Sequence, residues 1–454
     1  MLDTKCTHEM SSAGIKNKTM LEKLKGKYTA LPDIHRRIFS GAFWSLFGTS
    51  VSKVIVLCAT IIVARILSKS EYGELGMVRS TISMFMAFSG FSIGATASKY
   101  IAENRNGDKE FAARMYMLAL LFSMAMAIVF GSVVLFASDY IAINSFAAPY
   151  LSDVVKMSAI ILIFATLSGS QSGVLSGFED FKTISRANML FGLAESVFIV
   201  FGAMLGGVEG VIIGFGLANL VNFIYLHYFA SRHIRKLGYS TKELLPKIRL
   251  KDLSVLYTFS LPATISSILV MICVWYSKTY LVQVSGFESM ATFDIAEQWR
   301  TQLLFIPAAI SQIVLPILSN SKQSNNQTQV VKINLAINVS VTAVILLLLL
   351  VFGKYIMLMY GDGYTNTLPL CLMAVTGVII SMTNVLGSLC FANDKAWHIC
   401  FLNGLQGAIL IFFTKYFVDR GFAETGLAYA NVVSYIAFLI VLGAVSYYIL
   451  KRNK

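Results

Sequence analysis

Long apolar stretches recur along the whole chain, and they restrict what it can fold into more than any other feature. Twelve of them are long enough to cross a bilayer as a helix, which takes about 20 residues. They cover residues 38–64, 75–95, 115–137, 154–177, 187–206, 208–229, 255–281, 293–318, 333–352, 366–391, 397–418 and 425–450. A helix satisfies its own backbone inside lipid, so the pattern predicts an all-α polytopic membrane protein with 12 transmembrane helices.

The distribution of charge supports this class and predicts the orientation. Only 13% of the 454 residues are charged, compared with about 25% in soluble domains. With the N-terminus inside, the inner connectors carry 27 Lys and Arg residues and the outer connectors carry four. This positive-inside bias predicts that both termini are cytoplasmic. The net charge of +13 is explained in this way and does not indicate a nucleic acid partner.

The connectors divide the chain into two predicted lobes. The N-terminal tail is polar and basic and has no apolar signal-peptide core. The central connector holds seven basic residues, and we expect it to contact anionic membrane lipids along the inner leaflet. The predicted units are a cytoplasmic tail (1–37), an N-lobe (38–229), a basic cytoplasmic linker (230–254), a C-lobe (255–450) and a cytoplasmic C-terminus (451–454).

A short internal repeat relates the two lobes. Leu67–Leu75 can be laid over Ser285–Phe293 without a gap, and each stretch joins the first two helices of its lobe. We call this alignment the repeat register, and it sets Leu67 opposite Ser285. Gly207–Gly210 echoes Gly421–Gly426, where the last helix of each lobe begins. The repeat predicts two pseudo-symmetric six-helix lobes around a central cavity.

Four basic residues lie inside predicted spans, where a cation costs roughly 2.5–3.5 kcal/mol and usually faces a polar interior. They are Lys53, Arg79, Lys278 and Arg300. Lys278 is close enough to its helix end to snorkel, and Arg300 can pair with Glu297 three residues earlier. Lys53 has no acidic residue near it on its helix. The sequence therefore predicts a cationic cavity.

Other polar side chains lie at the same depth. The acids Glu195, Asp294 and Glu297 either bind a coupling proton or Na⁺ or hold structural ion pairs. A set of amides either lines a sugar path or makes interhelical hydrogen bonds. These amides are Gln171, Asn188, Asn219, Asn222, Gln302, Gln312, Asn384, Asn403, Gln406 and Asn431. The six cysteines form no C-x-x-C pair, and we predict no metal site and no cofactor.

Short motifs carry a resemblance to a known family. Ala64–Leu67 followed by Glu71–Gly73 matches a-R-x-L and E-[YF]-G, the pattern around the start of helix two in that family. Gly90–Asn104 and Gly173–Phe178 match the ends of helices two and four. The chain resembles the polysaccharide-transport family of the MOP exporter superfamily, and in type it is most similar to O-antigen (Wzx-type) flippases. The similarity covers roughly residues 36–450.

The resemblance implies a flippase and not an enzyme. Such a flippase moves undecaprenyl-pyrophosphate-linked oligosaccharide repeat units from the cytoplasmic to the outer leaflet by alternating access. It would lie in the bacterial inner membrane, with other polysaccharide assembly proteins as candidate partners. The four intramembrane cations would then bind the pyrophosphate, since Arg offers a planar donor fork and Lys a point charge.

Three alternatives stay open. A lipid II-type flippase shares a pattern that Ser52-Lys53 and Val63–Arg65 match. A drug/cation antiporter of the same superfamily is expected to favour acids over cations in its cavity. A membrane glycan polymerase or glycosyltransferase usually needs a sizeable extramembrane segment, whereas the largest outer connector, 138–153, has two acids and no basic residue.

Overall fold

The computed structural model describes residues 33–90, 93–244, 246, 261–307, 327–393 and 395–452. Within these ranges the chain is mostly α-helical and contains no strand, which confirms the predicted all-α class. The α-helices are α1 (Asp33–Ile66), α2 (Lys69–Gly90), α3 (Ile93–Asn104), α4 (Lys109–Tyr140), α5 (Ser152–Gly177), α6 (Phe181–Lys236), α7 (Thr241–Leu244), α8 (Leu261–Leu303), α9 (Gln327–Tyr360), α10 (Leu368–Ala392), α11 (Ala396–Phe417) and α12 (Ala423–Arg452). Short π-helical turns follow α4 (Ile141–Ser145) and α11 (Val418–Phe422), and a 3₁₀ turn (Pro149–Leu151) precedes α5.

Eight stretches of the described chain are long and apolar enough to cross a membrane. Three of them are hairpins, because the chain reverses at Gly206-Gly207 within α6, at Gly286 within α8 and between α11 and α12. Gly207 (φ 54°) and Gly286 (φ 78°) adopt left-handed backbone conformations that only glycine takes up readily. The protein is therefore a multi-pass membrane protein, and the number of twelve spans stays a prediction.

Several helices extend beyond the apolar stretches that predicted them. The first helix begins at Asp33, inside the predicted tail, and α6 continues to Lys236, inside the predicted linker. The last turn of α6 contains His233, Arg235 and Lys236, where basic side chains interact favourably with the helix dipole. Helix ends thus project beyond the apolar region. The rest of the predicted tail (1–32), linker positions 245 and 247–254, and parts of the predicted spans 255–281 and 293–318 lie outside the described residues.

Helix α2 begins with a capping box that the sequence encodes. The backbone N–H of Ser68 donates to Glu71 Oε2 at 2.7 Å, and the backbone N–H of Glu71 donates to Ser68 Oγ at 3.2 Å. This reciprocal pairing satisfies donors at the start of a helix. It fixes the turn after Leu67 and places Tyr72 at the end of the first turn of α2, with Gly73 directly after it.

The described helices pack as two halves. Helices α1 to α6 pack on one another, and so do α8 to α12, while the main contact between the halves joins α2 to α8. Gly73 lies against the backbone of Phe287, so close that a Cβ atom at Gly73 would be 1.8 Å from the Phe287 oxygen. Gly76 faces Asp294, which is its equivalent in the repeat register. Contact between equivalent positions is what two pseudo-symmetric halves produce around their axis.

Candidate functional site

At one end of the bundle the halves are joined by the residues of the Ala64–Gly73 motif. Arg65 donates to the backbone oxygens of Met359 (2.6 Å) and Leu358 (3.2 Å), in the last turn of α9. Gly73 meets the backbone just after the Gly286 turn. Cations suit helix C-termini, whose last carbonyls lack intrahelical partners. We call these contacts of Arg65 and Gly73 the rim contact; on the predicted topology it lies at the outer surface.

Further from the rim, single long side chains cross between the halves. Thr60 Oγ1 donates to Gln298 Oε1 at 3.3 Å, and Gln298 Nε2 donates to the hydroxyl of Tyr72 at 2.8 Å. Lys53 lies two turns before Thr60 on α1, and Phe305 lies seven residues after Gln298. The Lys53 ammonium is 5.0 Å from the centroid of the Phe305 ring. Lys53 is half-buried. It has no ion pair or hydrogen bond with any residue that the structure describes.

Arg79 lies within the N-terminal half and has an acidic partner there. Its Nη2 is 3.8 Å from Glu195 Oε1, and its guanidinium lies 5.9 Å from the centroid of the Phe215 ring. Glu195 is buried, whereas 30% of the Arg79 side chain remains exposed. The two acids on its own helix are engaged elsewhere: Glu71 caps α2, and Glu74 accepts from the Tyr150 hydroxyl at 2.7 Å.

Lys278 and Arg300 share one carboxylate in the C-terminal half. Lys278 Nζ donates to Glu297 Oε2, and Arg300 Nη2 donates to Glu297 Oε1 at 2.9 Å. Arg300 Nη1 also donates to Asn431 Oδ1 at 3.4 Å, which ties α8 to α12. The Lys278 side chain is only 8% exposed, so it does not snorkel to the surface. Both cations are held in place by Glu297.

Asp294 belongs to the contact between the halves. Its Oδ2 accepts from Gln298 Nε2 at 3.0 Å, and Gly76 leaves the space that its carboxylate occupies. The three predicted acids therefore have different surroundings. Glu195 pairs with one cation, Glu297 pairs with two, and Asp294 is hydrogen-bonded to an amide.

A cavity of about 400 Å³, with both polar and apolar walls, lies within the N-terminal half. Helices α2, α5 and both arms of α6 contribute its walls. Its polar lining residues are Ser168, Ser172, Asn188, Glu195, Asn219 and Asn222. Phe191 and Phe215 supply aromatic faces. The structure therefore brings together three of the predicted amides and one of the predicted acids, whereas Lys278, Arg300, Asp294 and Glu297 lie in the other half.

Several of these residues were not singled out from the sequence. Tyr72 and Gln298 bridge the halves, and Ser168 and Ser172 line the cavity. Ser168 and Ser172 are four residues apart on α5, a spacing that places them on one face. Tyr72 stands inside the family motif, but nothing in the sequence indicates that its partner is Gln298.

The comparisons with known proteins agree with this architecture. A family model described as "Polysaccharide biosynthesis protein" matches residues 38–322. A curated relative from Shigella flexneri, named "Putative O-antigen transporter", is 22% identical over 343 residues, which cover 72% of this chain and 78% of the relative.

Solved structures share the fold at low identity. An inward-facing multidrug MATE transporter of the MOP superfamily aligns with a TM-score of 0.71 at 14% identity, covering 90% of this chain and 99% of that one. An outward-facing MATE transporter aligns with a TM-score of 0.68 at 15% identity, covering 92% and 96%. A MOP superfamily transporter from Pyrococcus furiosus, described as having a binding pocket of reverse polarity, gives the same TM-score, identity and coverage as the outward-facing structure.

The family and the fold are those of membrane transporters and not of enzymes. Since the family model covers more than half of the sequence, the chain belongs to the polysaccharide biosynthesis protein family and has the fold of the MOP transporter superfamily.

Proposed function

We propose that this protein is a flippase for an undecaprenyl-pyrophosphate-linked oligosaccharide, such as an O-antigen repeat unit, which it moves from the cytoplasmic to the outer leaflet by alternating access. It would lie in the bacterial inner membrane with both termini cytoplasmic. The family and the O-antigen relative support transport of a lipid-linked saccharide. The observation that carries the proposal further is the environment of Lys53.

Lys53 is the residue best placed to receive an anion. It lies between the two halves, at the depth of an apolar helix, with no described carboxylate beside it. An ammonium in such a place is attracted to phosphate oxygens, because charge-assisted hydrogen bonds are about twice as strong as neutral ones. The Phe305 ring below it supplies a face that attracts the cation in the absence of substrate. A pyrophosphate would replace that weak contact with a strong one.

The other cations would act in different ways. Arg79 is 30% exposed beside Glu195, and we propose that its guanidinium assists in binding the anion. Lys278 and Arg300 are held by Glu297, and we propose that they contribute positive potential to the cavity without direct contact. The inside-negative membrane potential would also favour outward movement of an anion, by about 2.3 kcal/mol per charge per 100 mV.

We propose Glu195 as the acid that would bind a coupling proton or Na⁺. It lines the cavity in the N-terminal half and has only one basic partner among the described residues. Glu297 is neutralised by two cations, and Asp294 lies in the contact between the halves. Protonation of Glu195 would break its ion pair with Arg79. The freed guanidinium would then strengthen anion binding, so that protonation and anion binding are coupled.

Two variants of Lys53 test the proposal. In the repeat register, the position equivalent to Lys53 holds Met271, so Lys53→Met gives the residue of the other half while keeping an unbranched side chain. We expect Lys53→Met to lower the translocation of an undecaprenyl-pyrophosphate-linked oligosaccharide in proteoliposomes by about tenfold or more, because a hydrogen bond to a charged group contributes about 1.5–3 kcal/mol. Lys53→Arg should retain most of the rate.

The matched control is Lys354→Met, since Lys354 is exposed near the end of α9 and touches no candidate residue. It should transport at the wild-type rate. Full activity of Lys53→Met would contradict the cationic site. Transport of cationic drugs, without transport of the lipid-linked saccharide, would favour the antiporter alternative. Equal or better transport of lipid II would favour the lipid II alternative.

A further inference from the structure

The cavity of the N-terminal half contains buried polar atoms that have no partner among the described residues. Ser168 Oγ and Asn222 Oδ1 both belong to lining residues, and neither has a described hydrogen-bond partner. Gln171, one turn from Ser168 on α5, is fully buried, and neither atom of its amide has a described partner. Each such atom costs roughly 1–3 kcal/mol if nothing binds it. Ser168 and Asn222 line the cavity, so a ligand that enters it lies beside polar groups that still need a hydrogen-bond partner.

The chemistry of the walls favours a neutral, hydroxyl-rich ligand. The one carboxylate that lines the cavity, Glu195, is already paired with Arg79, so these two side chains add no net charge. The remaining polar lining groups are amides and hydroxyls, which can both donate and accept hydrogen bonds. Phe191 and Phe215 offer flat apolar faces. A sugar ring has both hydroxyl groups and an apolar C–H face, and this combination matches the walls.

The size of the cavity fits one sugar ring. Its volume is about 400 Å³. One water needs only roughly 10–15 Å³ of such space, so the cavity is large enough to hold a sugar ring. A lining of a few polar groups among apolar ones is also typical of small-molecule sites.

The cavity is also connected to the helix that carries Lys53. Asn188 Nδ2 donates to Thr49 Oγ1 at 3.2 Å, and Thr49 lies one turn before Lys53 on α1. Gly192 packs directly against Ser52, with a Cβ position 2.4 Å from the serine Oγ. The cavity side of α6 therefore contacts α1 within one turn of Lys53. A phosphate at Lys53 would place the first sugars of a linked glycan near the cavity.

We propose that this cavity, lined by Ser168, Asn188, Asn219 and Asn222, is a saccharide subsite that binds one sugar ring of the transported lipid-linked glycan. The inference rests on the proposed flippase function. It assigns two parts of the substrate to two sites. Lys53 binds the pyrophosphate of any carrier, and the cavity of the N-terminal half binds a sugar ring when the carrier bears one.

Binding of two probes to the purified, reconstituted protein tests whether the pyrophosphate and the sugar bind at separate sites. The probes are undecaprenyl pyrophosphate without sugar and the same carrier bearing an oligosaccharide repeat unit. We expect wild-type protein to bind the sugar-bearing probe more tightly. Asn219→Leu combined with Asn222→Leu should weaken binding of that probe by about tenfold, through the loss of two hydrogen bonds, and leave binding of the sugar-free probe unchanged.

Controls separate this inference from the proposed function. Ser168→Ala removes one buried oxygen without adding volume, and it should give a smaller loss of the same kind even if the double variant folds poorly. Ser340→Ala makes the same change at an exposed serine of the C-terminal half and should change neither affinity. Equal affinity of wild-type protein for both probes, or equal weakening of both in the variants, would overturn the subsite. Failure of wild-type protein to bind either probe would instead overturn the flippase function.

Discussion

The two halves of the molecule are related by a repeat, yet their charged side chains differ in pairing and in exposure. In the repeat register, Arg79 in the N-terminal half is equivalent to Glu297 in the C-terminal half. Arg79 pairs with Glu195 and stays 30% exposed. Glu297 pairs with both Lys278 and Arg300. The N-terminal half thus keeps its cation near a cavity, and the C-terminal half buries its cations in a fixed cluster.

The position of Lys53 extends the same contrast. Its equivalent in the C-terminal half is Met271, so no second cation is present at that level of the repeat. The difference shows how a duplicated fold can become functionally asymmetric. One half keeps a loosely held charge and a polar cavity, which are suited to binding. The other half has its charges satisfied internally, which suits a rigid partner.

The largest expected effect concerns the acid of the C-terminal half. Glu297→Gln removes the one carboxylate with which Lys278 and Arg300 form ion pairs among the described residues, while both cations remain mostly buried. Removal of one partner from a buried ion pair costs about 3–5 kcal/mol, and we expect a large drop in the thermal unfolding temperature in detergent. Glu195→Gln is the matched change in the other half. It should cost about 1 kcal/mol, because its partner Arg79 is partly solvated. Equal losses in the two variants would break the contrast between the halves.

A smaller effect is expected at the rim contact, where the halves use glycine and alanine at equivalent positions. Gly73 touches the backbone of Phe287, whereas its equivalent is Ala291, which is buried with its side chain accommodated. Gly73→Ala forces the two backbones apart, and overpacking of this kind typically costs about 1–3 kcal/mol. We therefore expect the rim contact to open more often. A cysteine at Thr292, buried nearby, should then react faster with an impermeant thiol reagent added outside.

That labelling experiment needs a background without the six native cysteines. Gly443→Ala serves as its control, because a Cβ atom there meets nothing within 4 Å. Alanine in a helix interior is favoured over glycine by roughly 0.5–1 kcal/mol, so this variant should be slightly more stable and leave labelling unchanged. Unchanged labelling in Gly73→Ala would mean that the rim contact does not limit opening.

The sequence was informative where local chemistry decides the outcome. Apolar length predicted the helices, and the positions of Lys and Arg predicted an orientation. The Ser68–Glu71 capping box is a pattern that sequence can reveal. The partners of Arg79, Lys278 and Arg300 could not be fully predicted, because Glu195 lies on another helix and Glu297 is shared by two cations. The cavity could not be predicted either, since its volume depends on how four helix segments are spaced.

The smallest expected effect concerns two helix N-termini at the inner end of the predicted topology, that of α6 in the N-terminal half and that of α11 in the C-terminal half. Asp180 caps α6 by accepting from the backbone N–H of Thr183 at 3.1 Å, and it also pairs with His233 at 2.8 Å. By contrast, Lys395, the residue that precedes α11 at the N-cap position, makes no side-chain capping bond. The hydrogen bond from His233 lowers the pKa of Asp180 to about 2.

Asp180→Ala should therefore lower stability by about 1 kcal/mol, the usual value of an N-cap, and Lys395→Asp should raise it by a similar or smaller amount. Because the folded-state pKa is depressed, the contribution of Asp180 is fully present above the unfolded value of about 4 and is lost as the pH falls through about 2. Unfolding temperatures of wild type and Asp180→Ala should consequently differ at pH 6 and converge towards pH 2. A constant difference in unfolding temperature between pH 6 and pH 2 would show that the cap acts without its charge. An unfolding temperature of Lys395→Asp equal to that of wild type would show that the start of α11 needs no cap.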